Sequence, residues 1–176
     1  MNHASNWQNW SGSIAPAKAR LENPRDLDAL VKLVHDATGP VRPVGSGHSW
    51  PHLVPNDHLI LQLDHFNKVG KVDTATKRTW IGAGARLHDV SPQLAEQGYA
   101  FRNLGDIDVQ TLAGATSTGT HGTGQSLQAL HAEITGLRLV TGTGEQLEIS
   151  PHRNNDRLDG ARVALGALGV LTEIQV

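Results

Sequence analysis

Two glycine-rich segments carry the residue types best suited to chemistry: Gly45-Ser46-Gly47-His48-Ser49 and Gly114-Ala115-Thr116-Ser117-Thr118-Gly119-Thr120-His121-Gly122. A diphosphate needs backbone N–H donors brought close, with hydroxyls nearby and no Cβ in the way. The first segment offers this once. The second offers it again and adds the hydroxyls of Thr116, Ser117, Thr118 and Thr120. Lying about 70 residues apart, the two could clamp one diphosphate from both sides. Either segment alone also describes an ordinary glycine-rich turn. The usual dinucleotide fingerprint, Gly-x-Gly-x-x-Gly, fails throughout: Gly45 and Gly47 lead to Trp50, Gly82 and Gly84 to Leu87, and Gly122 and Gly124 to Leu127. There is no Gly-Lys-Ser/Thr of a P-loop either. A bound nucleotide would be held by a different arrangement.

The ten histidines are mostly scattered (His3, His52, His58, His65 and His152 among them) and read as solvated side chains. No metal site is expected. The chain has no cysteine, which excludes disulfides, thiolate metal sites and a Cys nucleophile.

Three runs together resemble a known family. They are Val41-Arg-Pro-Val-Gly-Ser-Gly-His-Ser-Trp50, Gly105-Asp-Ile-Asp-Val-Gln-Thr-Leu-Ala-Gly-Ala-Thr-Ser-Thr-Gly-Thr-His-Gly-Thr-Gly124, and Ala164-Leu-Gly-Ala-Leu-Gly-Val-Leu-Thr-Glu173. In order and spacing they look like the FAD-binding domain of the vanillyl-alcohol-oxidase, or PCMH, type. More narrowly they resemble the sugar-lactone and alditol oxidases. The resemblance covers roughly residues 15–176.

The resemblance implies an α+β, PCMH-type fold of two subdomains, about 15–100 and about 101–176, with FAD between them. It implies flavin contacts from Val44, Gly45, Ser46, Gly47, His48 and Ser49, and a covalent bond from His48 to the flavin 8α-methyl. A histidine ring nitrogen suits that bond, being a good nucleophile and partly neutral near pH 7. Further cofactor contacts are implied at Gly105, Asp106, Gly114, Thr116, Ser117, Thr118, Gly119, Thr120, His121 and Gly122, with His121 supporting its loop. Gly169 and Val170 would pass the adenine end. Gly105 would lie near the reactive edge of the flavin, where a small residue leaves oxygen a path, so it is the candidate catalytic position and favours an oxidase. An isolated acid pair such as Asp106 and Asp108 otherwise reads as a solvated turn.

The implied activity is oxidation of a CH–OH group in a sugar lactone or polyol, with hydride passing to flavin N5 and oxygen giving hydrogen peroxide. Relatives continue beyond the Gly-Val-Leu-Thr-Glu run into a cap that carries the substrate pocket. This chain stops there, so the C-terminal cap is expected to be absent. The alternative is an FAD-binding module without its own catalysis, served by a separate cap domain or subunit. A third reading is a reductase of the same fold.

The elements that must position these loops are partly legible. Asn23 reads as an N-cap with Pro24 at the first helical position, and Leu27, Leu30, Val31, Val34 and Ala37 form one apolar stripe ending at Gly39-Pro40. Val41–Val44 reads as a short strand, His58–Leu63 as a half-buried one, and Val69–Val72 with Arg78–Gly82 as a pair joined by a polar turn. Leu87, Val90 and Leu94 mark a second helix to about Gln97. Residues 103–124 show no sustained helical period. Strands are expected at 133–141 and 145–149, a short helix near 156–165, and an alternating strand at the end.

Bulk properties bound the rest. The 176 residues are 38% hydrophobic and 18% charged, with a net charge of −2. That favours a folded domain and gives no electrostatic reason for nucleic acid or an anionic membrane as partner. The start of the sequence lacks a basic stretch followed by an apolar run, and no apolar segment approaches the roughly 18 residues of a membrane span. A cytoplasmic protein is therefore expected.

Overall fold

In the computed structural model, residues 7–15, 18–49 and 51–176 are described. Trp50, the last residue of the Gly-Ser-Gly-His-Ser-Trp run, lies outside them, as does His3. The chain forms two sheets. A three-stranded parallel sheet has the order β1 (Arg20–Glu22), β3 (Leu59–Gln62), β2 (Val41–Val44). A four-stranded antiparallel sheet has the order β4 (Trp80–Gly82), β7 (Val170–Gln175), β5 (Gly136–Val140), β6 (Gln146–Ile149).

The central strand β3 is not half-buried as its alternation suggested. Leu59, Ile60 and Leu61 are 3%, 0% and 0% exposed. The cause is the parallel arrangement, which covers both faces. Leu59 and Leu61 pack with Leu30 and Val34 of helix α1 (Leu27–His35), while Ile60 faces Trp7 and Ala19.

Helix α1 starts later than the sequence implied. Asp26, not Asn23, is the N-cap: its backbone is extended and its side chain accepts from Ala29 N–H at 2.8 Å. Asn23 instead donates to Asp64 Oδ2 at 2.9 Å. The helix also ends at Asp36, before Gly39. The expected pair at 69–82 is reduced to β4 plus bridges Val69 to Ile81 and Asp73 to Arg78.

The larger core lies under the antiparallel sheet. Helix α2 (Leu87–Glu96) buries its expected stripe of Leu87, Val90 and Leu94 against Ile81, Leu137 and Ile174. Strand β4 and helix α2 precede residue 100, yet they belong to this second sheet and core. A helix with no counterpart in the sequence reading, α3 (Leu112–Ser117), packs Leu112 and Ala115 into the same core. Helix α4 spans only Leu158–Ala161. The final strand β7 inserts between β4 and β5 and presents Val170, Thr172 and Ile174 inward, as its alternation predicted. Among the described residues, no helix is long and apolar enough to cross a membrane.

Candidate functional site

The first glycine loop begins where β2 ends. Open α/β sheets leave a crevice beyond the carboxyl ends of their parallel strands, and an open cleft lies there, with about 1080 Å³ of empty space including its mouth. Residues 42–49 form one wall. Ala113, Gly114, Ser117 and Thr118 of α3 and its end also line the cleft, as do Gly166 and Gly169.

The loop 45–49 is held tightly. A Cβ at Gly45 would sit 2.5 Å from Thr111 Oγ1. Gly47 has φ +70°, and a Cβ there would lie 3.1 Å from Asn9 Cα. Trp10 N–H donates to Gly47 O at 3.1 Å, and the Trp10 ring lies against the His48 imidazole, tilted by 30° with centroids 5.0 Å apart. Asn9 is buried and ties its own turn through bonds to Ser11, Ser13 and Ile14. The segment before β1 thus braces the loop, although in the sequence it reads as polar and irregular, with Trp7 and Trp10 as its only large anchors.

Among the described residues, none of the five N–H groups of Gly45, Ser46, Gly47, His48 and Ser49 is taken up by a turn, loop or side-chain hydrogen bond. All five residues line the cleft, as does Val44. No Asp or Glu lines it, whereas Arg42 does. Successive unsatisfied donors in a wall without acids make a concave site for an anion.

The second segment behaves differently from its sequence reading. Its helix donors are already used: Leu112 N–H bonds Ala85 O at 2.8 Å, Ala113 N–H bonds Ala83 O at 3.0 Å, and Gly114 N–H bonds the N-cap Thr111 Oγ1 at 3.1 Å. Two of its four hydroxyls turn inward. Thr116, fully buried, donates to Leu112 O, and Thr118 donates to Gly114 O, each at 2.8 Å. This back-bonding to the i−4 carbonyl is the habit of hydroxyls within helices. Thr120 Oγ1 accepts from Gln110 Nε2 at 3.1 Å. Ser117 lines the cleft with its hydroxyl uncommitted among the described residues.

Of the remaining expected residues, all but Gly169 lie away from the cleft lining. Gly119, Thr120, His121 and Gly122 follow α3. His121 is exposed, its Nδ1 2.9 Å from Gly122 O. Asp106 is exposed, and Gly105 is half-buried against the Thr120 methyl, where a Cβ would lie at 2.9 Å. Val170 is buried in β7, while Gly169 lines the cleft with φ +138°.

Four residues have roles at the site that the sequence reading did not give them. Trp10 and Asn9 brace the loop, and Arg86 Nη1 donates to Ser46 Oγ at 2.8 Å and Val109 O at 3.2 Å. Gln110 also lines the cleft, and its Oε1 is a buried acceptor with no partner among the described residues. Five free donors, a free hydroxyl and an orphaned acceptor fit a diphosphate joined to a hydroxyl-bearing chain.

Comparison with known proteins bears on that ligand. Residues 15–150 match the family described as FAD binding domain. The L-gulono-1,4-lactone dehydrogenase of Mycobacterium tuberculosis is 38% identical over 171 residues, which is 96% of this chain and 39% of that protein. The L-gulonolactone oxidase of Bos taurus is 32% identical over 171 residues, with the same coverage of 96% and 39%. Among solved structures, a cholesterol oxidase from Brevibacterium sterolicum superposes with a TM-score of 0.84 over 97% of this chain and 36% of that one, at 22% identity. That likeness is one of fold. The chain spans about two-fifths of the length of these curated relatives.

Proposed function

Given that the chain belongs to the FAD-binding domain family, we propose that its cleft holds FAD for the oxidation of a CH–OH group in a sugar lactone or alditol. The observation that carries this reading is the row of five N–H groups at 45–49 with no partner among the described residues, in a loop that lines a cleft without acids. FAD bound there supplies a two-electron acceptor, which oxygen then reoxidises to give hydrogen peroxide. Residues 45–49 receive the diphosphate on their backbone donors. Ser117 and the orphaned Gln110 Oε1 meet ribityl hydroxyls or other donors of the cofactor. Thr116, Thr118, Gly119, Thr120, His121 and Gly122 shape the loop that follows α3, and Gly169 with Val170 bounds the adenine end.

His48 offers a ring nitrogen for covalent attachment at the flavin 8α-methyl, with Trp10 holding its imidazole in one plane. Gly105, with Asp106 beside it, leaves oxygen a path at the reactive edge of the flavin, although neither residue lines the cleft. An oxidase and a dehydrogenase both stand among the relatives, so this part of the reading rests on Gly105 alone. Exposed Leu165 and Leu168 beside the cleft suit a covering domain or a separate cap subunit that selects the substrate.

The test is to incubate the purified chain with FAD, precipitate it with acid and measure its intact mass. The expected result is a yellow pellet and a mass raised by one FAD less two hydrogens, both lost in His48→Ala. Tight FAD uptake with no added mass would remove the covalent bond and leave the binding site. No uptake by folded chain would remove the function.

A further inference from the structure

Arg86 does not line the cleft, yet its side chain is tied to the loop that does. Its Nη1 donates to Ser46 Oγ at 2.8 Å and to Val109 O at 3.2 Å, and Ser46 Oγ itself donates to Val109 O. Its backbone bridges Thr111, whose Oγ1 abuts Gly45. One residue at the start of α2 therefore joins the 45–49 loop to the 109–111 segment, which lie 40 and 23 residues away from it. The triangle uses the Ser46 oxygen both as acceptor and as donor, so that hydroxyl is committed to the strap while the backbone N–H groups of the loop are left without a partner among the described residues.

Arg86 is half-buried, and among the described residues no carboxylate pairs with it. A partly desolvated cation with no counter-ion is unfavourable. It becomes favourable when an anion arrives close by. Arginine suits the place better than lysine, since both bonds leave one nitrogen, Nη1, whose two N–H bonds are fixed in the guanidinium plane, whereas an ammonium has no such fixed directions.

We propose that Arg86 is a positioning residue for the cofactor diphosphate: acting through Ser46, it fixes the orientation of the 45–49 donors and sets a positive charge behind them. Arg86 touches no ligand atom itself. This rests on the cleft binding FAD, and the experiment separates the two claims.

FAD is titrated into purified chain by the change in flavin fluorescence, and the melting of ligand-free chain is followed by circular dichroism. The variants are Arg86→Met, Arg86→Lys, Ser46→Ala and the double Ser46→Ala/Arg86→Met. Losing charged hydrogen bonds predicts an FAD Kd raised about tenfold or more in Arg86→Met, with ligand-free melting within about 2 °C of wild type, because removing an unpaired half-buried charge offsets the lost bonds. Arg86→Lys should recover only part of the affinity. The double variant should bind within about twofold of Arg86→Met, since both changes cut the same link. Wild-type affinity in Arg86→Met, full recovery in Arg86→Lys, or losses that multiply in the double variant would each overturn the strap. A ligand-free chain that melts much lower in Arg86→Met would make the residue structural and overturn it too. Folded wild-type chain that takes up no FAD would remove the reading of the cleft, and the strap with it.

Discussion

Gly45→Ala tests how the cleft is built, because its effect can be worked out atom by atom. The added Cβ would meet Thr111 Oγ1 at 2.5 Å, while Thr111 Cβ and Cγ2 stay at an ordinary 3.5 Å. Only the hydroxyl obstructs. That hydroxyl caps α3 by accepting from Gly114 N–H at 3.1 Å, and Thr111 is buried, so it has little room to turn. Displacing it loses a cap worth about 1 kcal/mol and adds overpacking strain of about 1–3 kcal/mol. The backbone at Gly45 lies outside the left-handed region, so alanine regains about 0.4–1 kcal/mol through the unfolded chain. The net loss is about 2 kcal/mol, or roughly 4–8 °C in Tm for a chain of this size. Thr111→Ala alone should cost about 1 kcal/mol by losing the cap. It also vacates the space the new Cβ needs, so Gly45→Ala/Thr111→Ala should be no less stable than Thr111→Ala. Urea unfolding of ligand-free chain, followed by circular dichroism, measures all four corners of this cycle. Additive losses, or a Gly45→Ala chain as stable as wild type, would refute the contact between the loop and the α3 cap.

Three further outcomes follow from the geometry. Trp10 is 72% exposed, so Trp10→Ala should leave melting nearly unchanged while slowing covalent flavin attachment at His48 several-fold, and Trp10→Phe should keep most of the rate; equal rates of mass gain in all three would remove the ring's positioning role. Gly105→Ala should destabilise by about 1–2 kcal/mol through the Thr120 methyl, and Gly105→Ala/Thr120→Ser should recover while keeping the Gln110 bond; slower reoxidation of reduced flavin in that double variant supports the oxygen path, and an unchanged rate removes it. Burial pushes the Glu148 carboxyl up, but hydrogen bonds from Arg138 and Ser150 outweigh it and hold the group below its ordinary value. A depressed folded value stabilises the fold above the unfolded value of about 4.3 and loses that contribution as pH falls through the folded one. Glu148→Gln should therefore melt below wild type at pH 7 and converge with it in acid; a gap independent of pH would contradict the linkage.

The sequence made the periodic elements legible and left the contacts between them hidden. Helices α1 and α2 announced themselves through apolar stripes, and β7 through alternation. Helix α3 did not, because its six residues include Gly114, two alanines and two hydroxylated residues, and Leu112 is its one large apolar side chain. A string of Thr and Ser in a glycine-rich run suggests a polar ligand, yet Thr116 and Thr118 spend their hydroxyl hydrogens on their own helix, a choice that depends on a helix the pattern did not reveal. The cleft-lining loop 45–49 was legible because glycine spacing and His48 are local features. Arg86 was not, since its partners come from distant parts of the chain. Trp10 was visible as a large anchor, but its position over His48 depends on the turn that Asn9 ties.

The central claim is that the N–H groups of residues 45–49 are the seat of the FAD diphosphate. The most direct measurement is amide NMR of isotope-labelled chain titrated with FAD. The account predicts that the amide resonances of Gly45, Ser46, Gly47, His48 and Ser49 move downfield and saturate at one equivalent, while those of the 141–145 hairpin stay in place. Saturating FAD binding that leaves these five amides unmoved, or moves the hairpin instead, would contradict it.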